Sequence, residues 1–392
     1  MNEWNTLYKI DSKGKLRQWT ITVVNRGFES EIIISAGLVE GKKTFTNIHI
    51  TEGKNIGKSN ETSHYTQAIS QAQSKYDGQI RDGYVENIAD AKQAILASGL
   101  PQCMLAHKFD SSLKQSNSKN LDKLNLKGEK IYIQAKLDGN RCLTEISSKG
   151  EVKFYTRKGD LMLPIPHIEE QLSNTYLQKG FTDCLILDGE LYTDKLPFNT
   201  LNGLIRKQSK TEKDLGDLKL IDYVVYDTYN SQGYEKRFEI VKEFESENVK
   251  IIPNFEIIAN DESIKEKLDC FLSQGYEGAI LRVLGKPYEY KRSWNLMKIK
   301  EFEDSEFEIL DVELDSIGRL GAFIMKMDIP VLDKDGKLVE TFKAGITGID
   351  HEKGLEIIRN KEKYIGKTAT VIYFGRDVRP RFPKIKLLDR MD

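Results

Sequence analysis

The sequence is poor in the residues that mark fibrous and disulfide-bonded proteins. Its 392 residues include only 9 prolines and 4 cysteines. With 39% hydrophobic and 30% charged residues, this composition excludes collagen-like and low-complexity chains and is typical of a globular protein. Cys103, Cys142, Cys184 and Cys270 lie tens of residues apart, which fits neither a zinc site nor a disulfide framework. We therefore expect a reducing compartment.

Long apolar runs and an excess of one charge are also missing. No run approaches the roughly 18 apolar residues of a spanning helix, and residues 1–5 have no basic region that leads into an apolar one. We therefore expect no signal peptide and no membrane partner. The expected location is intracellular and cytoplasmic, with the nucleus not excluded.

The 59 basic and 60 acidic side chains give a net charge of −1. A nucleic-acid-binding role must therefore depend on local clusters of positive charge.

The length predicts two or three domains, and three segments differ in their patterns of predicted strands and helices. Residues 1–98 begin with short β-like runs and continue with helical periodicity from Tyr65. Residues 99–302 alternate strands with short helices, which favours an α+β domain with mainly antiparallel sheets. Residues 303–392 have the size and texture of a small barrel of the oligonucleotide-binding (OB) type.

Several local elements are predicted within these segments. Helices are expected over 166–176 and 264–274 and near 351–360. The segment 111–130 is rich in Ser, Asn and Lys and predicts a surface loop.

The segment 131–141 is the most informative part of the sequence. Its alternation predicts a strand with apolar side chains on one face and Gln134 and Lys136 on the other. Asp138-Gly139 is a strong hairpin signal, so we expect Arg141 to return beside Lys136. A lysine near an arginine and a bound metal lies in a field that favours its neutral amine, the form able to attack phosphorus. A plain hairpin with a solvated lysine is the alternative.

Five further segments supply polar groups at the ends or on one face of strands. In chain order these groups are Arg157, Asp188 with Glu190, Tyr226 with Asp227, Glu277 with Arg282, and Lys298 with Lys300. Each taken singly has an ordinary structural explanation as a turn, a half-buried aromatic or a solvated strand face. Together with the candidate nucleophilic amine of Lys136, these segments provide several cations for phosphates, carboxylates for a metal and an aromatic ring for stacking. This combination predicts a site for a nucleotide and a metal.

The ordered set of segments resembles the covalent nucleotidyltransferase superfamily and, within it, the ATP-dependent DNA ligases of the small viral or bacteriophage kind. The match spans roughly residues 101–390, and its strength lies in the order and spacing of six motifs. The lysine-x-Asp-Gly motif of the family falls on residues 136–139, with Arg141 trailing. The resemblance implies that Lys136 attacks the α-phosphate of ATP and carries AMP. AMP then passes to a DNA 5′-phosphate, and the neighbouring 3′-hydroxyl displaces it to seal the nick.

The resemblance also implies a role for each site residue. The implied catalytic residues are Lys136, Asp138, Lys298 and Lys300, of which the last two neutralise the α-phosphate. The implied nucleotide contacts are Gln134 at the adenine edge, Tyr226 stacked on adenine, Glu190 at the ribose, and Arg141, Arg157 and Arg292 at the nucleotide or nick phosphates. The implied ligands of a Mg²⁺ ion are Asp188, Glu190 and Glu277. Magnesium is expected because it is a hard cation that one or two carboxylates hold together with phosphate oxygens.

Residues 376–390 form a local basic cluster, with six basic and two acidic residues. The cluster resembles the arginine-rich final motif of DNA ligases. This resemblance implies that Arg379 and Arg381 orient the pyrophosphate of ATP when the barrel closes. Lys384 departs from the family, in which many members have arginine or an apolar residue, and a solvated basic tail is the alternative. A barrel that serves ATP and then DNA needs a mobile hinge, expected around residues 301–304.

The first segment resembles the WGR nucleic-acid-binding module over residues 6–84. The defining Trp-Gly-Arg is replaced by residues 36–38, Ala-Gly-Leu. Lys54 and Lys58 are candidate phosphate contacts, and Trp19 a candidate for stacking on an end base. In the alternative, Trp19 belongs to the core and the lysines face solvent.

The sequence thus favours a monomeric DNA ligase that uses ATP and Mg²⁺ on nicked duplex DNA, in the host cytoplasm if the source is a virus or phage. An RNA ligase or a capping-type guanylyltransferase would share the lysine chemistry. A nick- or end-binding protein without activity is the alternative from another class. NAD⁺ is disfavoured as the donor because that ligase class carries a nicotinamide-binding domain and zinc-finger cysteines that the sequence does not contain.

Overall fold

The computed structural model describes the chain except for residues 12–13, 97, 110–118, 208, 301–302, 316–317, 334–335, 347, 377 and 388–392. The chain divides into two compact units, Met1–Ile299 and Lys300–Asp392. Both units contain helices and strands, in agreement with the predicted α+β class. The separation of residues 1–98 from 99–302 remains a prediction. In the described part of the chain, no helix has the length and apolar character needed to span a membrane.

The first unit begins with a five-stranded antiparallel sheet and a long helix. The strands are β1 (Asn2–Glu3), β2 (Leu7–Ile10), β3 (Leu16–Asn25), β4 (Ser30–Leu38) and β5 (Lys43–Ile50), followed by α1 (His64–Arg81) and α2 (Ile88–Gln93). β3 pairs with β1, β2 and β4, and β5 pairs with β4. Ser63 starts α1 in a capping box with Thr66, which satisfies two otherwise unpaired groups at the helix start.

Trp19 of β3 packs in the core between this sheet and α1. Trp19 is 5% exposed, and the centre of its ring lies 6.3 Å from the centre of the Tyr76 ring on α1. The prediction that Trp19 stacks on an end base of DNA is therefore wrong, because the indole face is covered. Lys54 and Lys58 are exposed, and their predicted phosphate contacts stay predictions.

Two further five-stranded sheets complete the first unit. Their strands are β6 (Leu105–Lys108), β7 (Lys130–Lys136), β8 (Asn140–Ile146), β9 (Val152–Thr156), β10 (Leu185–Tyr192), β11 (Asp222–Thr228), β12 (Val249–Ile251), β13 (Phe255–Ile258), β14 (Gly278–Val283) and β15 (Arg292–Lys300). One sheet has the order β12-β11-β10-β8-β9 and the other β13-β7-β14-β15-β6. β7 pairs antiparallel with β13 and β14, and β10 and β9 pair antiparallel with β8, as predicted, whereas β12 and β6 pair in parallel with β11 and β15.

Helices cover one face of each of these sheets. They are α3 (Lys119–Lys123), α4 (Pro166–Gln178), α5 (Phe198–Arg206), α6 (Glu212–Leu218), α7 (Tyr234–Lys242) and α8 (Asp261–Ser273). α4 and α8 confirm the helices predicted over 166–176 and 264–274. In the segment predicted as a loop over 111–130, residues 111–118 lie outside the described residues, and α3 follows them.

The predicted hairpin at Asp138-Gly139 is wrong, because β7 and β8 belong to different sheets. β7 pairs with β13 and β14, whereas β8 pairs with β9 and β10. The chain therefore crosses from one sheet to the other at this dipeptide. A Cβ on Gly139 would lie 2.5 Å from the carbonyl oxygen of Leu191, so glycine is needed for close approach to β10 and not for a tight turn.

The second unit is a closed barrel, as predicted for the C-terminal segment. Its strands are β16 (Glu303–Leu314), β17 (Leu320–Leu332), β18 (Leu338–Gly345), β19 (Thr368–Tyr373) and β20 (Lys384–Leu387), in the order β16-β17-β18-β20-β19. Helix α9 (His351–Arg359) confirms the helix expected near 351–360, and a 3₁₀ helix (Lys361–Lys363) follows. Phe307, Phe323 and Phe342 fill the interior. Of the predicted hinge, residues 301–302 lie outside the described residues.

Candidate active site

A cleft lies between the uncovered faces of the two central sheets. β7, β14 and β15 supply one wall and β8, β10 and β11 the other. The predicted site residues that line this cleft are Gln134, Lys136, Arg141, Arg157, Glu190, Tyr226, Arg292 and Lys298. Motifs that are spread over about 160 residues of sequence thus meet in a single site, because the two sheets face each other.

Lys136 is the last residue of β7 and projects into the cleft. Its Nζ contacts the carboxylate of Glu277 and lies 3.3 Å from the carbonyl oxygen of Leu137. The Glu277 amide donates a 3.0 Å hydrogen bond to the Lys136 carbonyl, which fixes the two residues side by side. The Lys136 side chain is 20% exposed and that of Glu277 is 4% exposed. The amine is therefore accessible from the cleft while a buried carboxylate holds it.

Arg141 is held in place by Asp188. Its Nε and Nη2 donate hydrogen bonds of 2.9 and 2.5 Å to the two carboxylate oxygens of Asp188, which is 1% exposed. The Tyr288 hydroxyl donates a third, of 2.6 Å, to the same carboxylate. Such a bidentate, charge-assisted pair fixes the plane of the guanidinium. The structure thus shows that Asp188 positions Arg141, whereas its implied metal ligation stays a prediction.

Glu190 and Tyr226 face Arg141 from neighbouring strands. Glu190 lies opposite Arg141 in the β8–β10 register, and the Tyr226 hydroxyl is 3.4 Å from the Glu190 carboxylate. Burial raises the pKa of Glu190 to about 7, against the opposing effect of the positive charges of Lys136 and Arg141. The Glu190 carboxyl group therefore holds its proton more tightly than an exposed glutamate does.

Positive charge is concentrated at the mouth of the cleft. Burial lowers the pKa of Lys298, and the charges of Lys136, Arg292 and Arg157 lower it further. Arg292 donates a hydrogen bond to the carbonyl of Ala106 on β6. These cations form a site for an anion of high charge.

Gln134, implied at the adenine edge, belongs to a buried network. Its carbonyl accepts a 2.7 Å hydrogen bond from Arg282, and its amide donates to the Tyr234 hydroxyl and to Asn254 at 2.8 and 2.7 Å. Gln134 is 2% exposed. It therefore contributes to the cleft as part of a fixed wall.

The rest of this network was not assigned a role from the sequence. Arg282 and Arg237 both bond to Asp227 through distances of 2.7 to 3.1 Å, and all three side chains are at most 4% exposed. Asp227 and Arg282 stand at the ends of apolar runs in the sequence, a position that marks them as candidates for a buried polar contact. Arg237 on α7 gave no signal, because nothing in its local sequence shows that its partner lies on β11.

The cleft has the chemistry of a nucleotide site. The Tyr226 ring and the apolar side chains of Ile252, Ile280 and Leu296 suit a base, and the cations suit phosphates. For a metal, the described residues contain no group of three or more His, Cys, Asp or Glu side chains. Mg²⁺ needs only one or two protein carboxylates together with substrate phosphates, and the metal ligation implied for Glu190 and Glu277 stays a prediction.

The remaining predicted residues lie elsewhere. Asp138 follows β7 at the crossing between the sheets. Lys300 begins the second unit, where its Nζ lies 4.8 Å from the centre of the Phe374 ring. The guanidinium of Arg381 lies 5.5 Å from the same ring, and Arg379 belongs to the same unit. Contacts of these residues with a nucleotide stay predictions.

Comparisons with known proteins agree with this geometry. The family described as the ATP dependent DNA ligase domain matches residues 103–300, which is about half of the chain. A DNA ligase of African swine fever virus (isolate Tick/South Africa/Pretoriuskop Pr4/1996) is 29% identical over 296 residues, which are 72% of this chain and 64% of the relative. The DNA ligase of Enterobacteria phage T4 is 24% identical over 290 residues, 60% of this chain and 58% of the relative. The chain thus spans less than two thirds of the length of these relatives.

Solved structures share the fold. The structure named Pmar-Lig_Pre. has a TM-score of 0.58 and 21% identity, with 73% of this chain and 66% of that chain covered. A structure from a structure-function analysis of Lig E DNA ligases has a TM-score of 0.53 and 18% identity, with 74% and 99% covered. The family match includes every residue that lines the cleft, from Leu105 to Lys298. The chain belongs to the family of ATP-dependent DNA ligase domains.

Proposed function

We propose that this protein is an ATP-dependent DNA ligase that seals nicks in duplex DNA through a lysyl-AMP intermediate. The observation that carries the proposal is the position of Lys136. Its amine projects into a cleft with an aromatic and apolar inner surface and a cationic mouth, and it contacts the buried carboxylate of Glu277. The family to which the chain belongs supports the same chemistry.

In the first step, the Lys136 amine attacks the α-phosphorus of ATP. A P–N bond forms, the bond from the α-phosphorus to the bridging oxygen breaks, and pyrophosphate leaves. Glu277 is placed to take the proton that the amine loses. In the second step, an oxygen of the DNA 5′-phosphate attacks the same phosphorus, and the amine leaves. In the third step, the 3′-hydroxyl attacks the 5′-phosphate, AMP leaves and the nick is closed.

The other cleft residues stabilise the charge that develops in these steps. Lys298 and Arg141 would neutralise the phosphate oxygens, and Asp188 would keep Arg141 in its orientation. The ring of Tyr226 would stack on the adenine. Glu190 and Glu277 would hold Mg²⁺, which supplies further neutralisation of the phosphates.

The N-terminal sheet and α1 are proposed as a WGR-like module that adds DNA contacts, with Lys54 and Lys58 as exposed candidates. Arg379 and Arg381 of the barrel are proposed to orient the leaving pyrophosphate. We propose that the protein is a monomer and that it acts inside the cell on nicked duplex DNA.

The test is the intact mass of the protein after incubation with ATP and Mg²⁺. We expect a gain of one AMP in the wild type and in Lys130→Ala, and no gain in Lys136→Ala. Lys130 is a matched control because it lies on the same strand, β7, with a 64% exposed side chain paired to Glu256. A chase with nicked duplex DNA should then remove the AMP and yield sealed product.

Other outcomes separate the alternative functions. An adduct that is discharged only on nicked RNA would identify an RNA ligase. A protein that binds nicked DNA but gains no AMP from any nucleotide would be a nick- or end-binding protein, and the ligase proposal would be wrong.

A further inference from the structure

A second cavity lies next to the nucleotide cleft within the first unit. It is bounded on one side by β2, the end of α1 and the residues that follow it, and on the other by the turn after β9 and the start of β15. Its polar lining residues are Lys9, Gln79, Arg81, Asp82, Gln102, Arg157, Lys158 and Arg292. The N-terminal segment and the segment that carries the motifs therefore build this cavity together.

The two sides of the cavity are joined by specific contacts. Lys158 Nζ lies 2.6 Å from the carboxylate of Asp82, the C-cap residue of α1. Lys9 Nζ donates a hydrogen bond to the carbonyl oxygen of Asp82. Gly83 has a φ of +87°, and a Cβ at this position would lie 3.1 Å from Gln102 Nε2 and 3.5 Å from Lys9 Nζ. The side-chain nitrogens of Lys9 and Gln102 thus both lie beside Gly83.

The turn that carries Arg157 is also packed against the N-terminal segment. Gly159, with a φ of +86°, follows Arg157 by two residues, and a Cβ there would lie 2.6 Å from Ser98 Oγ and 2.9 Å from a Leu96 methyl. Leu96 and Ser98 come after α2 and before β6 in the chain. The N-terminal segment therefore fixes the turn from which Arg157 enters both cavities.

The charge of the lining is strongly positive. Five cationic side chains surround the cavity, and Asp82 is the one carboxylate among its described lining residues. The whole chain has a net charge of −1, so this local excess is not a consequence of the composition. Cations clustered on one side of a neutral protein are the electrostatic footprint of a phosphate backbone.

Arg157, Arg292 and Leu105 line both this cavity and the nucleotide cleft. The two spaces are therefore neighbours that share a wall. We propose that the second cavity binds a backbone phosphate of the DNA strand that carries the 5′-phosphate at the nick, with Lys9 and Arg81 as phosphate contacts. This inference rests on the proposed ligase function and assigns the N-terminal segment a part in the binding of the strand that is adenylated.

A strand is favoured over the polyphosphate of ATP as the occupant. Lys9 and Arg81 come from β2 and α1, outside the family match at residues 103–300, whereas the cations around Lys136 lie inside it. A DNA strand must also continue beyond its terminal phosphate at regular spacing, and a second cationic pocket beside the first suits such a repeating anion.

The test compares Arg81→Ala with Lys75→Ala, a control that removes the same charge from an exposed position on the same helix. Wild type and variants are prepared with equal AMP content, checked by intact mass. Their affinity for nicked duplex DNA with a 5′-phosphate is measured by fluorescence anisotropy at several salt concentrations. We expect Arg81→Ala to weaken binding about fivefold and to reduce the salt slope by about one, as for the loss of one phosphate contact. Arg81→Lys should restore most of the affinity, and Lys75→Ala should bind as the wild type does.

Two results would overturn the inference while the ligase proposal stands. In one, Arg81→Ala and Lys75→Ala bind nicked DNA equally. In the other, Arg81→Ala raises the ATP concentration needed for adenylation and leaves DNA binding unchanged, so that the polyphosphate is the occupant. Failure of the ligase proposal is recognised separately, by a wild type that gains no AMP. The unadenylated protein still reports on the phosphate site through its binding to the same DNA.

Discussion

At the scale of single residues, Asp188 shows how a buried carboxylate acts on the cleft through another side chain. Both of its oxygens accept hydrogen bonds from Arg141, and Tyr288 donates to one of them. Removal of one partner from a buried ion pair leaves an uncompensated charge, which costs about 3–5 kcal/mol. Loss of Asp188 should therefore lower stability even when no metal is present.

We expect Asp188→Ala to lower the free energy of unfolding by about 3 kcal/mol or more, because Arg141 loses its buried partner. Urea unfolding followed by tryptophan fluorescence measures this change. Asp194→Ala is the control, since Asp194 is exposed and its loss should change stability by less than about 0.5 kcal/mol. Equal stability of the two variants would show that the Asp188–Arg141 pair does not hold this wall of the cleft.

Glu190 gives a second residue-scale prediction, on pH. Burial raises its pKa to about 7 from an ordinary value of 4.5, so the folded protein holds its proton more tightly than the unfolded chain. Below the unfolded pKa the carboxyl is neutral in both states. As the pH rises towards the folded pKa, the unfolded state ionises first and the folded protein loses relative stability. Glu190→Gln cannot ionise and avoids this loss.

We therefore expect the stability of Glu190→Gln relative to the wild type to increase from pH 4.5 to pH 8, by at most about 3 kcal/mol. Chemical unfolding of both proteins at intervals across this range tests the sign. A difference that is flat with pH, or that favours the wild type at pH 8, would contradict a raised pKa at this site.

At the scale of elements, the crossing from β7 to β8 decides the geometry of the cleft. Lys136 and Arg141 are five residues apart, yet they lie on facing sheets because the chain changes sheets between them. Gly139 allows this crossing by its close approach to β10, where a Cβ would meet the Leu191 carbonyl oxygen at 2.5 Å and Glu190 Cγ at 2.7 Å. A backbone atom on the opposing strand cannot move aside without a shift of the strand.

We expect Gly139→Ala to destabilise the protein by about 1–3 kcal/mol, the usual range for overpacking, and to slow AMP loading because the strand under Glu190 moves. Gly203→Ala is the matched control. Gly203 lies in α5, is exposed and has nothing within 4 Å of an added Cβ, so the change should raise helix propensity and stabilise by up to about 1 kcal/mol. Thermal unfolding and intact mass with ATP measure the two effects. Equal behaviour of the two variants would contradict a steric role for Gly139.

The elements also show what the sequence can predict. Alternation along residues 131–137 correctly separates the apolar residues from Gln134 and Lys136, because the face of a strand depends only on period two. The hairpin at Asp138-Gly139 is wrong because turn signals are local, whereas the partners of β7 are strands more than 120 positions further along the chain. The buried contact of Arg237 with Asp227 lies beyond local prediction for the same reason.

At the scale of the whole molecule, the two units have separate hydrophobic cores. Leu187 lies fully buried in a core of the first unit, and Phe323 lies fully buried in the barrel. The three tryptophans, Trp4, Trp19 and Trp294, all belong to the first unit. Tryptophan fluorescence therefore reports the unfolding of that unit alone, whereas calorimetry reports both.

We expect Phe323→Ala to destabilise the barrel by about 3–5 kcal/mol, the usual cost of removing a buried phenylalanine, and to leave the tryptophan-detected transition unchanged. Leu187→Ala should do the reverse, with a loss of about 2–5 kcal/mol in the first unit. Calorimetry and fluorescence on the same samples distinguish the two transitions. The two units would have to unfold together if Phe323→Ala lowered the temperature of the tryptophan-detected transition as much as Leu187→Ala does. In cores that unfold independently, a cavity in one core leaves the stability of the other unchanged.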